Sequence, residues 1–291
     1  MVNIIEILDS MKLDRGFSPT ALKSVRLFKE EIYCSRVPLI YDPSICFILQ
    51  GSKTGYMEDY QFQYNADSYL VVSVASPLEM DTIASPEKPL YGLSLTIDPV
   101  ELNNIIALIR QSSPDYGFEE KALSSALGPS VMSTEMKESL FRLIRALRSE
   151  TDAKVLGPGL IREIYYHALQ GNKGYLLYRL SQHDGNFSRI ISVMTQLYNH
   201  YGEKFTVEGL AEQVNMSVSA FHRAFKSIAS ETPVQYQKKI RLNKAREFLL
   251  EKKMKSYEIA ETVGYESPAQ FSRDFKKFYG YSTAELLRTM R

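Results

Sequence analysis

Residues 210–226 read LAEQVNMSVSAFHRAFK, and residues 259–276 repeat the pattern as IAETVGYESPAQFSRDFK. Each copy begins as a short amphipathic helix, passes through a tight turn and opens a second helical pattern at a serine. The second copy has one more residue in its turn. This order is the sequence form of a helix-turn-helix, whose second helix enters the major groove of DNA. Two copies in one chain predict a protein that reads DNA with two helices at once.

The second helix of each copy has one face suited to burial and another suited to DNA. Ser217 and Ser267 stand where an N-cap should be, and we expect both to contact DNA as well. Two phenylalanines four positions apart follow in each copy and share one side of the helix. The other side carries side chains of the kind that contact base edges and phosphates. These are Ser219, His222, Arg223 and Lys226 in the first copy and Gln270, Ser272, Arg273 and Lys276 in the second, with Lys277 beside them.

An ordinary helical bundle with charged outer faces is the alternative interpretation. The repetition of cap, aromatic pair, Arg and Lys counts against it. Charge is also divided unevenly along the chain, which has 291 residues with 35 Lys+Arg and 34 Asp+Glu. Residues 188–291 carry 17 basic and 11 acidic side chains, a net charge of +6, and the remainder carries −5. A basic part behind an acidic one is typical of nucleic-acid binding by one domain only.

The stretch from about residue 190 to 290 resembles the DNA-binding domain of AraC/XylS-type transcription regulators. The resemblance rests on residues 233–236 (PVQY), 240–249 (IRLNKAREFL) and 263–267 (VGYES), together with the two repeats. It implies a central helix over about residues 233–250 that holds two recognition helices about 34 Å apart, one helical turn of DNA.

The same resemblance implies boundaries and roles. The helix-turn-helix units would span about residues 206–230 and 255–280, within a DNA-binding domain of residues 186–291. Base contacts would come from Ser219 and His222 in the first groove. In the second they would come from Pro268, Ala269, Gln270 and Ser272, where the first two are smaller than the polar side chains often found there.

The N-terminal part has short β-branched and aromatic runs between residues 38 and 98, cut by turn residues at 58–59 and 65–67. A small sandwich or barrel is therefore expected. The predicted strands are Ile45–Gln50, Thr54–Met57, Gln61–Tyr64, Tyr69–Ser73 and Tyr91–Ile97, and the predicted helices that follow are Val100–Arg110, Thr134–Ser149 and Leu160–Gln170.

Residues 40–53 (IYDPSICFILQGSK), 69–73 (YLVVS) and 84–89 (ASPEKP) resemble the N-terminal domain of one subgroup of AraC-type regulators. The resemblance implies a cupin-like β-barrel, about residues 36–98, that senses a small molecule and is followed by helices to about residue 171. We therefore expect an α+β protein of two domains. Residues 1–185 would sense an effector and dimerise, ending in a Gly- and Asn-containing linker at residues 175–187.

Neither an active site nor a metal site is predicted. The four histidines are His167, His183, His200 and His222, and none lies in the β-rich region, where a metal-dependent cupin would need them. The sequence has neither a glycine-rich phosphate loop nor a nucleophile elbow. We accordingly expect no enzyme, no catalytic residue, no metal and no cofactor, and the effector-binding residues remain unknown.

Three side chains have both a functional and a structural interpretation. Cys46, between Ile45 and Phe47, is expected to be a buried small hydrophobe rather than a sensing thiol. Cys34 follows Tyr33 near basic residues and is the more open of the two to sensing. Lys53 follows a Gln-Gly-Ser turn, where an exposed hairpin lysine is expected and pairing with an anionic effector is the alternative.

Met136, Leu140, Leu143 and Leu147 form an apolar stripe on one predicted helix. The stripe either packs on its own barrel or forms a dimer seam, as helices at this place do in many AraC-type proteins. Phe141 and Ile144 make it wider than a strict coiled-coil seam, so that one flank can cover the barrel while the other meets a partner. We therefore expect a homodimer.

Taken together, these patterns predict a sequence-specific regulator of transcription that binds double-stranded DNA and responds to a small-molecule effector. RNA polymerase is a further expected partner. No membrane segment and no targeting segment are apparent, and two cysteines point to a reducing cytoplasm. The alternatives are an architectural DNA-binding protein whose N-terminal domain only dimerises, and an enzyme or sensor whose helical domain contacts proteins.

Overall fold

A computed structural model describes residues 4–57, 60–113, 126–181, 185–251 and 254–289. The chain forms two compact units, and the expected α+β fold is confirmed. The first, sheet-rich unit comprises Met1–Arg36, Asp42–Val74 and Met80–His183; the second, mainly helical unit comprises Val37–Tyr41, Ala75–Glu79 and Asp184–Arg291.

Ten strands of the described residues form two sheets, in the orders β1-β2-β9-β4-β7-β10 and β3-β8-β5-β6. The strands are β1 Gly16–Pro19, β2 Val25–Glu30, β3 Cys34–Tyr41, β4 Ser44–Gln50, β5 Ser52–Met57, β6 Tyr60–Asn65, β7 Ser68–Val72, β8 Ser76–Ile83, β9 Leu90–Thr96 and β10 Leu127–Val131. The five predicted strands correspond to β4, β5, β6, β7 and β9, and the turn predicted at residues 65–67 is present. The other five strands were not predicted, so strand structure begins well before residue 36. The turn predicted at residues 58–59 lies outside the described residues.

Aromatic rings pack directly over glycines in both sheets. Phe28 of β2 lies opposite Gly92 of β9, and Phe62 of β6 lies opposite Gly55 of β5. A Cβ atom on either glycine would overlap the ring opposite it. Glycine at these two positions lets a large side chain lie flat on the neighbouring strand and fill the interior.

Five helices accompany the sheets: α1 Ile4–Ser10, α2 Pro99–Ser112, α3 Thr134–Ala146, α4 Glu150–Gln170 and α5 Gly174–Ser181. The predicted start of α4 at Leu160 is wrong, because Ser149 caps the helix by accepting a hydrogen bond from the Asp152 amide (3.2 Å). The helix then continues through Pro158, which lies on its exposed side, where water can solvate the carbonyl that proline leaves free.

The predicted linker at residues 175–187 is also wrong for its first half. Those residues form α5, and Tyr175, Leu176 and Leu177 are buried. Their apolar side chains pack in the core, which outweighs the turn tendency of the neighbouring Gly and Asn. Residues 182–184 lie outside the described residues, and the next helix begins at Asn186.

Seven helices of the described residues build the second unit: α6 Asn186–Asn199, α7 Val207–Gln213, α8 Val218–Ala229, α9 Pro233–Glu251, α10 Ser256–Thr262, α11 Pro268–Tyr279 and α12 Thr283–Thr289. The predicted central helix is confirmed as α9. Its Tyr236 stacks edge-on against Phe225 of α8, while Leu242 and Leu249 join the core beneath α11. Because α9 is covered on both sides, its apolar residues do not form a single stripe. In the described part of the chain no helix is long and apolar enough to cross a membrane.

Candidate nucleic-acid interface

The first helix-turn-helix is formed by α7 and α8. Thr206 caps α7 by accepting a hydrogen bond from the Gly209 amide (3.1 Å), and Asn215 takes the left-handed conformation in the turn (φ +54°). Asparagine tolerates that conformation better than most residues, because its short side chain bonds locally. Ser217 then caps α8, its hydroxyl accepting from the Ala220 amide at 3.3 Å, as predicted.

The two faces of α8 are divided as expected. Phe221 and Phe225 are fully buried, with ring centroids 5.7 Å apart. Ser217, Ser219, Arg223 and Lys226 are exposed, and His222 is half-buried beside the Phe221 ring. Neither Arg223 nor Lys226 forms a side-chain hydrogen bond or ion pair with any described residue. Both cations are therefore available to a ligand outside the chain.

The second helix-turn-helix is formed by α10 and α11. Its turn contains Gly264 (φ +85°), and Ser267 caps α11 by accepting from the Gln270 amide at 3.3 Å. Pro268 follows at the first helical position, where its missing N–H is not needed. Phe271 and Phe275 are fully buried, so the predicted aromatic pair is present here too.

Every residue predicted to contact DNA in the second helix-turn-helix lies on the outward face of α11 or at its N-cap. All eight are exposed: Ser267, Pro268, Ala269, Gln270, Ser272, Arg273, Lys276 and Lys277. Four of them are joined in pairs by hydrogen bonds along the helix. Arg273 donates from Nη2 to Oε1 of Gln270 (2.8 Å), and the Ser272 hydroxyl donates to the Pro268 carbonyl (2.9 Å). Arg273 therefore has an intrahelical partner for its guanidinium, in contrast to Arg223.

Sequence reasoning missed the residues that fix α11 from behind. Asp274 forms an ion pair with Lys238 of α9 (2.7 Å) and accepts from the Tyr265 hydroxyl (3.4 Å). Burial works against its charged form, but the hydrogen bonds from Lys238 and Gln270 prevail and lower the pKa of Asp274. Lys238 and Asp274 are far apart in sequence, so no local pattern predicts their ion pair.

The structure does not leave the predicted dimer seam on the surface. Met136, Leu140, Leu143 and Leu147 are between 0 and 8% exposed, and α3 packs closely on α4. The four side chains are therefore buried within the chain itself. This burial corrects their assignment as a surface for a partner. The structural alternative, packing on its own unit, describes these side chains.

The interior of the first unit holds an unexpected cation. Lys53 is 8% exposed, and its ammonium lies 4.9 Å from the centre of the Phe28 ring. The expectation of an exposed hairpin lysine is therefore wrong. Its neighbour Cys46 is buried, and burial raises the pKa of the thiol despite its contact with the Ser44 hydroxyl (3.3 Å) and the nearby charge of Lys53.

A protonated buried thiol is a poor nucleophile, so Cys46 behaves as the small hydrophobe that was expected. Cys34 is half-buried and free, and its thiol donates to the Ile32 carbonyl. His167 lies 3.8 Å from a Glu163 oxygen and His200 lies 3.0 Å from Glu203, whereas His183 lies outside the described residues. Across the described ranges no three His, Cys, Asp or Glu side chains converge as metal ligands would.

Comparison with known families agrees with this architecture. Residues 21–176 match the model of the AraC-type transcriptional regulator N-terminus, and residues 210–289 match a helix-turn-helix domain. Among solved structures, apo ToxT from Vibrio cholerae has a TM-score of 0.60 at 10% identity, covering 96% of this chain and 100% of that one. ToxT with a bound unsaturated fatty acid has a TM-score of 0.55 at 14% identity, covering 90 and 94%. At these identities the likeness is one of fold.

Curated relatives match over shorter stretches. The regulator AlkR of Acinetobacter baylyi is 42% identical over 83 residues, 28% of this chain and 27% of its own. The uncharacterized regulator YisR of Bacillus subtilis is 35% identical over 89 residues, 31% of each chain. The matches thus span about a third of the length of these relatives. Since the match to the N-terminal family alone covers more than half of the sequence, the chain belongs to the AraC-type transcriptional regulators and carries their DNA-binding helix-turn-helix domain.

Proposed function

We propose that the protein regulates transcription by reading operator DNA with α8 and α11, under the control of a small molecule bound by the first unit. The observation that carries the DNA-reading part is the matched division of the two helices. Each buries a phenylalanine pair completely and exposes an arginine between them on the opposite side. Such a helix can be placed in a groove without disturbing its core.

Each exposed residue has a role in this proposal. Arg223 and Arg273 contact guanine edges, and Lys226, Lys276 and Lys277 neutralise phosphates. Base contacts also come from Ser219 and His222 in the first groove and from Gln270 and Ser272 in the second. Pro268 and Ala269 offer apolar contact to thymine methyl groups, while Ser217 and Ser267 lie at helix N-termini that suit phosphates.

Selection of bound duplexes from a random-sequence library tests this reading. We expect the full-length chain to enrich one motif with two conserved segments about one helical turn apart. Affinity should fall steeply with salt, the log–log slope growing by about 0.9 for each phosphate neutralised. No enriched motif together with a flat salt response would contradict the proposal, and enrichment of shape without sequence would favour the architectural alternative.

Lys53 supports the sensing part of the proposal. Lys53 is a buried cation beside the Phe28 ring, and its charge reaches the Cys46 thiol, so the interior of the first unit is suited to an anionic ligand. ToxT, which shares the fold, binds an unsaturated fatty acid. We infer that a molecule with a carboxylate and an apolar body is the effector class to test first.

A panel of saturated and unsaturated fatty acids and short carboxylates should raise the melting temperature of the full-length protein for at least one member. Lys53→Met should abolish that shift, whereas Lys137→Met, which removes an exposed lysine paired with Asp67, should preserve it. Operator DNA should then change ligand affinity by the same factor as ligand changes DNA affinity. A shift that survives Lys53→Met would place the effector elsewhere, and no shift with any panel member would leave the architectural alternative.

We also propose a homodimer, with its seam moved to the outer face of α4. Val155 and Leu156 are adjacent apolar residues that are 71 and 53% exposed there. Leu156 also lines a groove of about 760 Å³ between α3 and α4. Leu156→Glu should halve the mass measured by light scattering, and an unchanged mass would exclude this seam.

Contact of DNA-bound protein with RNA polymerase remains a prediction, and altered polymerase occupancy at a selected operator would test it.

A further inference from the structure

Arg241 joins three pieces of the second unit that are distant in sequence. It lies in the middle of α9, half-buried, and donates from Nε to the Tyr201 carbonyl (2.6 Å) and from Nη1 to the Gly264 carbonyl (2.9 Å). Its Nη2 donates to the Glu203 carbonyl (2.9 Å), which also accepts from Nε2 of Gln237 (2.8 Å), one turn earlier on α9. Each nitrogen of the guanidinium thus donates to a backbone carbonyl.

The carbonyls that accept these hydrogen bonds lie beside or within both helix-turn-helix units, which we call the first and second readers. Residues 201–203 lead directly into Thr206, the cap of α7, and so begin the first helix-turn-helix. Gly264 is in the turn between α10 and α11, in the second. Tyr201 packs against the core beneath α11, and a Cβ on Gly264 would overlap the backbone of Gly202. Residues 201–203, which we call the strap, therefore lie directly on the second helix-turn-helix.

The two readers are consequently connected twice. One connection is the covalent one, α9 itself, and the other is the strap, which Arg241 ties to α9 and to the second turn at the same time. A single helix would leave the start of α7 free to shift relative to α10, whereas a second connection fixes it. A planar fork with donors in fixed directions suits three carbonyls, and a lysine could not reproduce that geometry.

We propose that Arg241 is a positioning residue that sets the placement of α8 relative to α11, and with it the spacing of DNA segments that the protein accepts. The inference rests on the proposed reading of DNA by both helices. Once one helix is bound, binding of the second is intramolecular, and its gain depends on how well the held geometry matches the DNA. Loosening the strap should therefore weaken two-segment binding and relax spacing, while leaving each segment's own recognition intact.

The test uses full-length protein and the duplex selected from the random library by the wild type. Companion duplexes have the spacer between the two segments lengthened or shortened by one or two base pairs, or have one segment scrambled. Arg241→Met, which keeps an apolar stem, should bind the selected duplex about tenfold more weakly, part of the gain that linking two contacts provides. It should also lose most of the wild type's discrimination between spacers, yet bind the scrambled duplexes as the wild type does.

Arg246→Met is the matched control. Arg246 lies on the same helix and carries the same charge, but its Nε donates to the Tyr281 hydroxyl (3.3 Å) and its guanidinium lies over the Tyr279 ring, both in the second reader. We expect it to retain spacer discrimination. If Arg241→Met fails to fold, Gln237→Leu removes one bond to the strap and should shift spacer preference in the same direction.

Unchanged discrimination in folded Arg241→Met, or in Gln237→Leu where that is the variant that folds, would overturn the inference. Equal weakening on selected and scrambled duplexes would do the same, because it would indicate general loss of charge or stability. Failure of the proposed function is a separate result. In that case the wild type itself would enrich no two-segment motif.

Discussion

The two helix-turn-helix units bury matched phenylalanine pairs but hold their recognition helices differently. In the second helix-turn-helix, Asp274 of α11 forms an ion pair with Lys238 of the central helix, and Arg273 donates a hydrogen bond to Gln270. In the first helix-turn-helix, Ala224 occupies the position that corresponds to Asp274, and Arg223 has no side-chain partner among the described residues. The core of the motif is therefore repeated, whereas the fixing of the reading side chains is not.

This difference separates stability from recognition. A fixed arginine loses less freedom when it binds, but it adapts poorly to a changed base. A free one pays more to be ordered and can search for its contact. We therefore expect Arg273 to contribute both affinity and discrimination at its own base. The small Pro268 and Ala269 on α11 leave more of the remaining hydrogen-bonded discrimination to the first helix-turn-helix.

Truncation of the buried rings should have the largest effect. Phe225→Ala and Phe275→Ala should each lower the free energy of unfolding by about 3–5 kcal/mol, because both rings are fully buried and leave a cavity. Urea unfolding followed by circular dichroism measures the loss. Val218→Ala, at a position 38% exposed on α8, should change it by far less. A much smaller loss for one phenylalanine than for the other would show that the two cores are not equivalent.

Removal of the reading arginines should come next. Arg223→Ala and Arg273→Ala should each weaken binding to the selected duplex by about 1–3 kcal/mol, the worth of a good bidentate contact to a base. The melting temperature should stay unchanged, since both side chains are exposed. Arg288→Ala, an exposed arginine on α12, controls for loss of charge. Gln270→Ala sharpens the comparison, because Gln270 both contacts a base in the proposal and accepts a hydrogen bond from Arg273. The part of its effect that persists in Arg273→Ala measures the base contact, and the part that disappears measures the positioning of Arg273.

Local patterns predicted the parts of the fold that depend on local physics. The caps Ser217 and Ser267 and the buried phenylalanines follow from helical periodicity and N-cap chemistry, whereas the central helix was implied by the family resemblance. Strand β8 was missed although its burial alternates regularly, because Pro77, Glu79 and Asp81 look like turn residues. Asp81 instead accepts hydrogen bonds from the Arg36 amide and the Tyr56 hydroxyl, partners that only the folded sheet brings together.

The same limit applies to the site. The exposed donors of α8 and α11 could be assigned from spacing, since each helix face is set by its own residues. The tie between Lys238 and Asp274 and the strap held by Arg241 could not. They join elements distant in sequence, and the acceptors of Arg241 are backbone carbonyls, which every residue carries and no sequence pattern distinguishes.

The helix caps offer a smaller contrast between the two units. Ser217→Ala should cost about 1 kcal/mol of stability, because it leaves the Ala220 amide without its cap. Ser267→Ala should cost less, since Pro268 already fixes the backbone angle of the first helical residue. Thermal or urea unfolding of both variants gives the comparison, and Ser→Asp at each site should restore the cap. Equal costs would mean that Pro268 does not pre-organise α11.

The smallest expected effect is the pH dependence of the tie at Asp274. Its pKa in the folded chain is lowered, because hydrogen bonds from Lys238 and Gln270 outweigh the penalty of burial. An unfolded aspartate titrates at about 3.9. The tie therefore stabilises the folded state above that pH, and the stabilisation is lost as the pH falls through the lower folded value.

Asp274→Asn should accordingly be less stable than the wild type at neutral pH, and the gap should narrow as the pH falls below about 4. Urea unfolding of both proteins across that range measures it. Glu266→Gln is the control, since Glu266 pairs with Lys204 on the surface, where an ion pair contributes little. A gap between wild type and Asp274→Asn that did not change with pH would mean that packing, rather than charge, anchors α11. The difference between Asp274 and Ala224 of the first helix-turn-helix would then be one of side-chain volume alone.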